Sequence, residues 1–185
     1  MSSRPPLTPG GGAVGDTGAD SDATARVTAL YQAHAVGLIR LAIVMLGDRG
    51  AAEDVVQDAF LGLYRNWDRL DDPGNALTYA RSAVLNRCRN VLRQRGQRDR
   101  LDRHGLGPTA SESAEAVALI GEEHQQVLAG IRALPDRQRE ALVLRFYLDL
   151  SEEETARAMG VNRGTVKSAT SRAVAALGRK LKEGS

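Results

Sequence analysis

The sequence of 185 residues has few of the side chains on which enzyme chemistry depends, with one cysteine (Cys88), three histidines and 4% aromatic residues. A single cysteine excludes an intrachain disulfide and any metal cluster built from several thiolates. No nucleophile beside a base and no glycine-rich loop that would cradle a phosphate is found. We therefore expect no enzymatic activity, no cofactor and no metal. A free thiol suits a reducing cytoplasm, which we predict as the compartment.

Long apolar runs are also missing. The longest, residues 38–46, is interrupted by Arg40, so we expect no insertion into a membrane. Residues 1–24 are rich in glycine, proline and small polar residues and lack the apolar centre of a signal peptide, which predicts a disordered tail. No segment shows the clean apolar and polar alternation of a strand, so the predicted fold class is all-α.

Charge is unevenly distributed, although the net charge is only +2. Acidic residues gather at 152–154 and between Asp48 and Asp58. Arginines opposed only by Asp99 and Asp102 are concentrated further along: Arg81, Arg87, Arg89, Arg93, Arg95, Arg98, Arg100 and Arg103. Since locally concentrated charge creates a surface potential that the net charge hides, we expect two basic surfaces and at least two acidic ones.

Residues 150–181 have the pattern of a helix-turn-helix. Ser151 and Glu154 form a capping box that starts the first helix, and Gly160 ends it. Asn162 is placed to cap a second helix whose exposed residues are basic. A small residue, a turn glycine and an inward apolar residue at the required spacing favour DNA binding over the alternative, an ordinary helical hairpin with a solvated charged face.

Helical periodicity and turn signals divide the chain into two small domains. Residues 25–97 contain predicted helices at 25–46, 51–67 and 76–95. Residues 98–118 are rich in glycine and small polar side chains and contain Pro108, which predicts a flexible linker. Residues 119–185 form the second domain, in which the helices next to the helix-turn-helix include Phe146 among their packing residues.

Two helix faces in the first domain carry candidate binding residues. On the second predicted helix Asp54, Gln57 and Asp58 face outward, as a solvated row or as an acidic docking surface. The third helix exposes a ring, amides and arginines, as melted or single-stranded DNA recognition requires, and an arginine-rich solvated face is the alternative. The exposed residues of the third helix are Tyr79, Asn86, Arg87, Asn90 and Arg93.

Four stretches together resemble the extracytoplasmic-function sigma factors of bacterial RNA polymerase, most nearly their short actinobacterial SigE-like group. They are A-A-E-D-V-V-Q-D-A-F-L-G-L-Y-R-N-W (51–67), T-Y-A-R-S-A-V-L-N-R-C-R-N-V-L-R (78–93), L-P-D-R-Q-R-E-A-L-V-L-R-F-Y (134–147) and M-G-V-N-R-G-T-V-K-S-A-T-S-R-A (159–173). The resemblance runs from about Val27 to Leu181. It implies a sigma region 2-like domain at 25–97 and a region 4-like domain at 119–185.

The resemblance also implies function and partners. It implies a subunit that gives the polymerase its promoter specificity and aids promoter melting, with the β′ clamp helices, the β flap, promoter DNA and an anti-sigma factor as partners. The row of Asp54, Gln57 and Asp58 matches the face that docks on the β′ clamp helices. The residues Tyr79, Asn86, Arg87, Asn90 and Arg93 match the helix at the −10 element. The residues Arg163, Lys167, Ser168, Ser171 and Arg172 match the helix at the −35 element.

The sequence departs from the family pattern at a few of these positions. Ala169 stands where many relatives have arginine, and Ser171 is small where some have a large side chain. Tyr79 keeps a ring where tryptophan is frequent. The alternative function is a stand-alone helix-turn-helix regulator, which would need neither the row at Asp54 to Asp58 nor the helix from Tyr79 to Arg93.

Overall fold

The structure is a computed structural model that describes residues 17–70, 72–102 and 122–183. Within these ranges the chain forms helices and no strand, which confirms the all-α class. The α-helices are Thr17–Leu46 (α1), Arg49–Arg65 (α2), Ala76–Asp102 (α3), Glu122–Arg132 (α4), Asp136–Phe146 (α5), Glu152–Met159 (α6) and Arg163–Glu183 (α7). Two short 3-10 turns, Trp67–Arg69 and Pro73–Asn75, connect α2 to α3.

Helix α1 is longer than its apolar pattern predicted. It begins at Thr17, so the prediction of a disordered tail was wrong for residues 17–24, while residues 1–16 lie outside the described ranges. An Asp22–Arg26 ion pair and a buried Ala23 support this first part of the helix. By length and composition alone Asp22–Leu46 could cross a membrane. A core helix passes the same test, and here the part of α1 near Met45 is buried among the other helices.

Helix α3 also passes its predicted end. It continues to Asp102, so residues 98–102 are helical and not part of a linker, and the rest of the predicted linker lies outside the described residues. Gly96 does not stop the helix. A glycine inside a helix costs only about 1 kcal/mol relative to alanine. The arginine, glutamine and leucine residues around it are good helix formers, so they can offset that cost.

Helices α1 to α3 form the N-terminal half. They pack around a core to which one face of α2 contributes. Val55, Val56, Ala59, Phe60 and Leu63 are all buried. Tyr31 of α1 meets the Phe60 ring edge to face, with 5.1 Å between the ring centroids. Asp48 caps α2 by accepting a hydrogen bond from the Ala51 N–H at 3.0 Å.

The C-terminal half, helices α4 to α7, packs directly on the N-terminal half. One continuous apolar cluster includes Leu41 and Leu85 from the first half and Leu144 and Met159 from the second. The two predicted domains are therefore in contact through their helices.

Two apolar residues of the C-terminal half lie on the solvent side. Phe146, expected to pack against the helix-turn-helix, is 67% exposed at the end of α5, and Val174 of α7 is also exposed. Ala173, one position away, takes the buried place. Helices α4 and α7 approach closely at Gly130, where an added Cβ would lie 2.7 Å from Leu177 Cδ1.

Candidate nucleic-acid interface

The helix-turn-helix forms through the local signals present in the sequence. The Ser151 Oγ accepts from the Glu154 N–H at 3.2 Å, and the Glu154 carboxylate accepts from the Ser151 N–H at 2.9 Å, which confirms the capping box. The Ser151 N–H bound to the carboxylate, followed by the Ser151 hydroxyl, holds the pKa of Glu154 below its usual value. Gly160 ends α6 with φ +66°, a left-handed conformation that favours glycine. Asn162 caps α7 by accepting from the Thr165 N–H at 2.8 Å.

Helix α7 turns one face to the core and the opposite face to solvent. Val166, Ala169 and Ala173 are buried. Ala169 faces the core, so it has no access to DNA. Ser168 is half-buried, and its hydroxyl donates to the Thr165 carbonyl. The other predicted −35 residues are exposed on this helix: Arg163, Lys167, Ser171 and Arg172.

The exposed basic groups of α7 are held only weakly by the protein. Arg163 lies 3.8 Å from Glu152, and such an exposed pair contributes at most about 1 kcal/mol. Lys167 and Arg172 show no ion pair within the part of the chain that the structure describes. The face is therefore a set of available donors at the amino-terminal end of a helix, the geometry with which such motifs enter a major groove.

Helix α3 presents a second polar face. Tyr79, 38% exposed, lies on it with the exposed Asn86, Asn90 and Arg93. The amide oxygen of Asn90 accepts from Arg93 at 3.1 Å, so the amide N–H groups of Asn90 point away from that contact. The structure therefore brings four of the five predicted −10 residues onto one face of α3.

Arg87, the fifth predicted −10 residue, lies at the edge of α3 next to α2. Its guanidinium donates to the Asp58 backbone carbonyl at 2.9 Å. Gly62 of α2 leaves the room for it, because an added Cβ there would lie 3.2 Å from the Arg87 guanidinium nitrogen Nη2. Arg87 therefore joins α3 to α2 at Asp58, whose side chain belongs to the acidic row.

Arg89 is a residue of this site that the sequence analysis left unassigned. Its Nε and Nη2 donate to the two carboxylate oxygens of Glu140 at 2.5 and 2.6 Å, across the two halves of the protein. Glu140 is fully buried, and the bond to its carboxylate raises the pKa of Arg89. The Nη1 of Arg89 donates to the Asn86 amide oxygen. No local pattern signals a pair whose members lie 51 residues apart.

A second polar contact joins the halves at the carboxyl end of α1. Arg139 of α5, buried, donates to the Met45 carbonyl at 2.7 Å, and Arg95 of α3 donates to the neighbouring Leu46 carbonyl at 2.7 Å. Guanidinium groups at a helix carboxyl end satisfy its free carbonyls and interact favourably with its dipole.

The acidic row on α2 lies apart from these contacts between the halves. Asp54, Gln57 and Asp58 are exposed, and the helical spacing continues the row to Leu61, which is 50% exposed. In the loop that follows, Asp72 accepts from the Gly74 N–H and the Asn75 amide at 2.8 and 3.0 Å. Among the described residues no cluster of histidine, cysteine, aspartate and glutamate could hold a metal.

Comparison with known families identifies both halves. Residues 30–98 match the Sigma-70 region 2 family, and residues 124–177 match the Sigma-70 region 4 family. The chain is 31% identical over 144 residues to the RNA polymerase sigma-E factor of Streptomyces avermitilis, covering 78% of each protein. The chain belongs to the sigma-70 family. It is also 29% identical over 132 residues to the ECF RNA polymerase sigma factor SigK of Mycobacterium tuberculosis, over 69% of this chain and 71% of that protein.

Solved structures share the fold. The sigma factor RpoE of Bartonella quintana, in complex with the anti-sigma factor NepR, aligns with a TM-score of 0.62 at 23% identity, covering 88% of this chain and 95% of that chain. CnrH, in complex with the cytosolic domain of CnrY, aligns with a TM-score of 0.67 at 22% identity, covering 90% of this chain and 98% of that chain.

This sigma factor of the extracytoplasmic-function group confers promoter specificity on RNA polymerase in transcription initiation. A stand-alone helix-turn-helix regulator would account for residues 124–177 but not for residues 30–98. That alternative is therefore not favoured.

Proposed function

We propose that this sigma factor works in the cytoplasm, without chemistry of its own, through three surfaces. The acidic row of α2, Asp54, Gln57 and Asp58, docks on the polymerase β′ clamp helices. The polar face of α3 binds the −10 element as the strands separate. The exposed amino-terminal face of α7 reads the −35 element in duplex DNA. Arg87 contributes through its bond to α2 and therefore positions α3 against the docking helix.

The contact between Arg87 and the Asp58 carbonyl carries this proposal, because it links the first two surfaces. A polymerase held by the α2 row is held at a fixed distance from the α3 face. The row presents two carboxylates and an amide on one helical face, and none of the three side chains is committed to an ion pair within the described residues. Leu61, exposed at the end of the row, adds an apolar side chain that a partner would cover.

Reversing the charge of the row tests the docking. Asp54→Lys together with Asp58→Lys should abolish co-purification with core polymerase and run-off transcription, because like charges would then face each other across the contact. Surface substitutions of this kind change folding stability by about 0.5 kcal/mol or less, so circular dichroism should show an unchanged fold.

Asp22→Lys is the control for the charge reversal. Asp22 is also an exposed carboxylate on a helix, and it lies far along the chain from the row. It should leave polymerase binding at the wild-type level. A folded double variant that still binds core polymerase and transcribes normally would refute the docking assignment.

We also propose an anti-sigma protein as a partner, because two solved structures of similar fold contain a bound partner, NepR for RpoE and CnrY for CnrH. The test is inhibition of transcription in vitro by a purified candidate from the host. The wild-type holoenzyme should lose activity as the candidate is added. A survey in which no host candidate inhibits transcription or binds this sigma factor would contradict the proposal.

A further inference from the structure

The polar face of α3 has two edges, and the protein occupies both. At one edge Arg87 is bonded to α2. At the other edge the C-terminal half covers α3, where the Ser82 hydroxyl donates to the Ala158 carbonyl at 3.0 Å and Arg89 binds Glu140. Steps of three and four residues place Ser82 and Arg89 on the same side of the helix as Asn86 and Arg93. Arg89 therefore belongs to the polar face, and an internal carboxylate covers it.

We propose that Arg89 is a DNA ligand that Glu140 withholds: when the two halves separate, its guanidinium passes from the Glu140 carboxylate to a phosphate of the melted strand. This inference rests on the proposed role of α3. Glu140 thus acts as an internal competitor of the DNA, and one of the bonds between the halves is lost as the bond to DNA is gained. Arg89 takes part in both bonds.

The chemistry of the pair fits an exchange of this kind. Arginine binds carboxylate and phosphate with the same two-pronged geometry, so one anion can replace the other without a change in the arginine. In the closed protein Arg89 donates two bonds to Glu140 and is only 19% exposed, which leaves no space for a phosphate. Its bond to Asn86 lies within α3 and need not break, whereas a longer bond from Nη2 to the Met159 carbonyl, at 3.5 Å, is lost together with the bonds to Glu140.

Glu140 does not lose every partner when the halves separate. Arg137 of the same helix also reaches its carboxylate, at 3.4 Å, and donates to the Met159 carbonyl at 3.2 Å. A buried carboxylate without a partner would be strongly unfavourable. Opening therefore exposes Glu140 to water with one arginine still beside it, whereas Arg89 is released with its charge free for the DNA.

Two substitutions at the pair separate closing from DNA binding. Glu140→Gln and Arg89→Gln each weaken the bond between the halves, so both should increase the radius of gyration of the full chain in small-angle scattering. Only Glu140→Gln leaves the arginine for DNA. It should bind a labelled single-stranded oligonucleotide of randomised sequence roughly tenfold more tightly than wild type, because a larger fraction of the protein is open. Arg89→Gln, although open, should show no such gain.

The salt dependence identifies the contact. If Arg89 binds a phosphate, log K for Glu140→Gln should fall with log salt more steeply than for the double variant Glu140→Gln/Arg89→Gln, by about 0.7 in slope. Glu140→Gln/Arg89→Lys retains the charge and should recover that slope. Arg137→Gln is the control within one half, and it should change neither the radius of gyration nor DNA binding.

Three results would overturn the inference. A Glu140→Gln protein that remains as compact as wild type would show that the pair does not hold the halves together. Equal DNA affinity for open Glu140→Gln and open Arg89→Gln would show that Arg89 does not bind DNA. A slope unchanged by Arg89→Gln would exclude the phosphate. If the Glu140→Gln protein lost helicity, the single variants Arg89→Gln and Arg89→Lys would be compared instead. Their slopes of log K against log salt would decide whether Arg89 binds a phosphate.

Failure of the proposed function would look different. Tyr79→Ala in the Glu140→Gln background should weaken binding of single strands, since the ring is lost from the same face. If it did not, while the Arg89-dependent slope persisted, the assignment of the polar face of α3 would be wrong and the Arg89 contact would stand.

Discussion

Two helices of this sigma factor carry polar faces suited to DNA, and they differ in how much of the face is free. Helix α7 projects Arg163, Lys167 and Arg172 into solvent, and among the described residues these three make one loose ion pair, from Arg163 to Glu152. Helix α3 is a core helix whose polar face is bonded at one edge to α2 and at the other to the C-terminal half. Duplex DNA could reach α7 in the closed protein, whereas α3 is only partly available.

This difference indicates which of the two DNA contacts needs a conformational change. Contacts made by α7 require no rearrangement of the described residues. Full use of α3 requires removal of the contacts at Ser82 and Arg89. We expect α3 to contribute more to stability than α7, and each of the two faces to bind a different promoter element.

The largest expected effect is on stability. Leu85 of α3 is fully buried, so Leu85→Ala should lower the free energy of unfolding by about 2–5 kcal/mol. Leu177 of α7 is only partly buried, so Leu177→Ala should cost roughly 1–2 kcal/mol. Urea unfolding of the two variants measures both values. Equal losses would break the distinction between a core helix and a peripheral one.

The next effect is on promoter binding. Lys167→Ala and Arg172→Ala should each weaken binding of the −35 duplex by about 1–3 kcal/mol if the side chain reaches a base edge. Asn90→Ala on α3 is the comparison and should leave duplex binding at the wild-type level. The measurement is holoenzyme affinity for a duplex that carries the −35 element without the −10 element, taken from a promoter selected by run-off transcription from a genomic library.

The salt slope separates the two kinds of contact at Lys167 and Arg172. Weakening that is the same for every sequence and lowers the slope would indicate a phosphate contact and remove the base readout. A duplex affinity that falls with Asn90→Ala as well would show that the two faces do not divide the DNA.

A smaller effect concerns the cap that starts α6 and so orients α7. Ser151→Ala should destabilise the protein by about 1 kcal/mol, with α3 unaffected. Because the pKa of Glu154 is lowered in the folded protein, its stabilising contribution is complete above the usual carboxyl pKa and is lost as the pH falls through the folded value.

Thermal unfolding from neutral to acidic pH measures both contributions. Glu154→Gln should flatten the profile in that acidic window. Ser151→Ala should keep most of the pH dependence, since the Ser151 N–H still binds the carboxylate. A Glu154→Gln profile that matched wild type would contradict this assignment.

The smallest effect is expected at Phe146, which the sequence pattern placed in the core. Because Phe146 is 67% exposed, Phe146→Ser should change the free energy of unfolding by about 0.5 kcal/mol or less. Chemical denaturation of this variant beside wild type is the measurement. A loss comparable to that of Leu85→Ala would place the ring in the core after all.

Local signals predicted much of the site, and long-range contacts account for what they missed. The Ser151 cap, the Gly160 turn and the Asn162 cap depend on residues three or four positions apart, so sequence spacing determines them. The pairing of Arg89 with Glu140 depends on how two halves meet, and no spacing encodes it. Residues 98–102 were interpreted as part of a linker because composition does not report that neighbouring residues sustain a helix.

Positions at the margins of a helical stripe were the other source of error. Phe146 and Val174 are apolar at plausible spacing, yet the buried places went to other residues such as Ala173. A stripe predicts which side of a helix is apolar, but the shape of the partner decides which residues at its edges are covered. The burial of Ala169 follows from the same cause, because its neighbours Val166 and Ala173 turn that side of α7 to the core.

The burial of Cys88 has a practical consequence for measuring how often this protein exposes the inner side of α3. Cys88 lies next to Arg89 on α3, is fully buried, and its pKa is raised by that burial to about 12. A thiol with such a pKa is ionised to only about one part in ten thousand at pH 8, so it should react with an aromatic disulfide reagent almost solely in molecules that have exposed it. The rate at which this thiol is modified therefore measures how often the protein exposes it, without an added label.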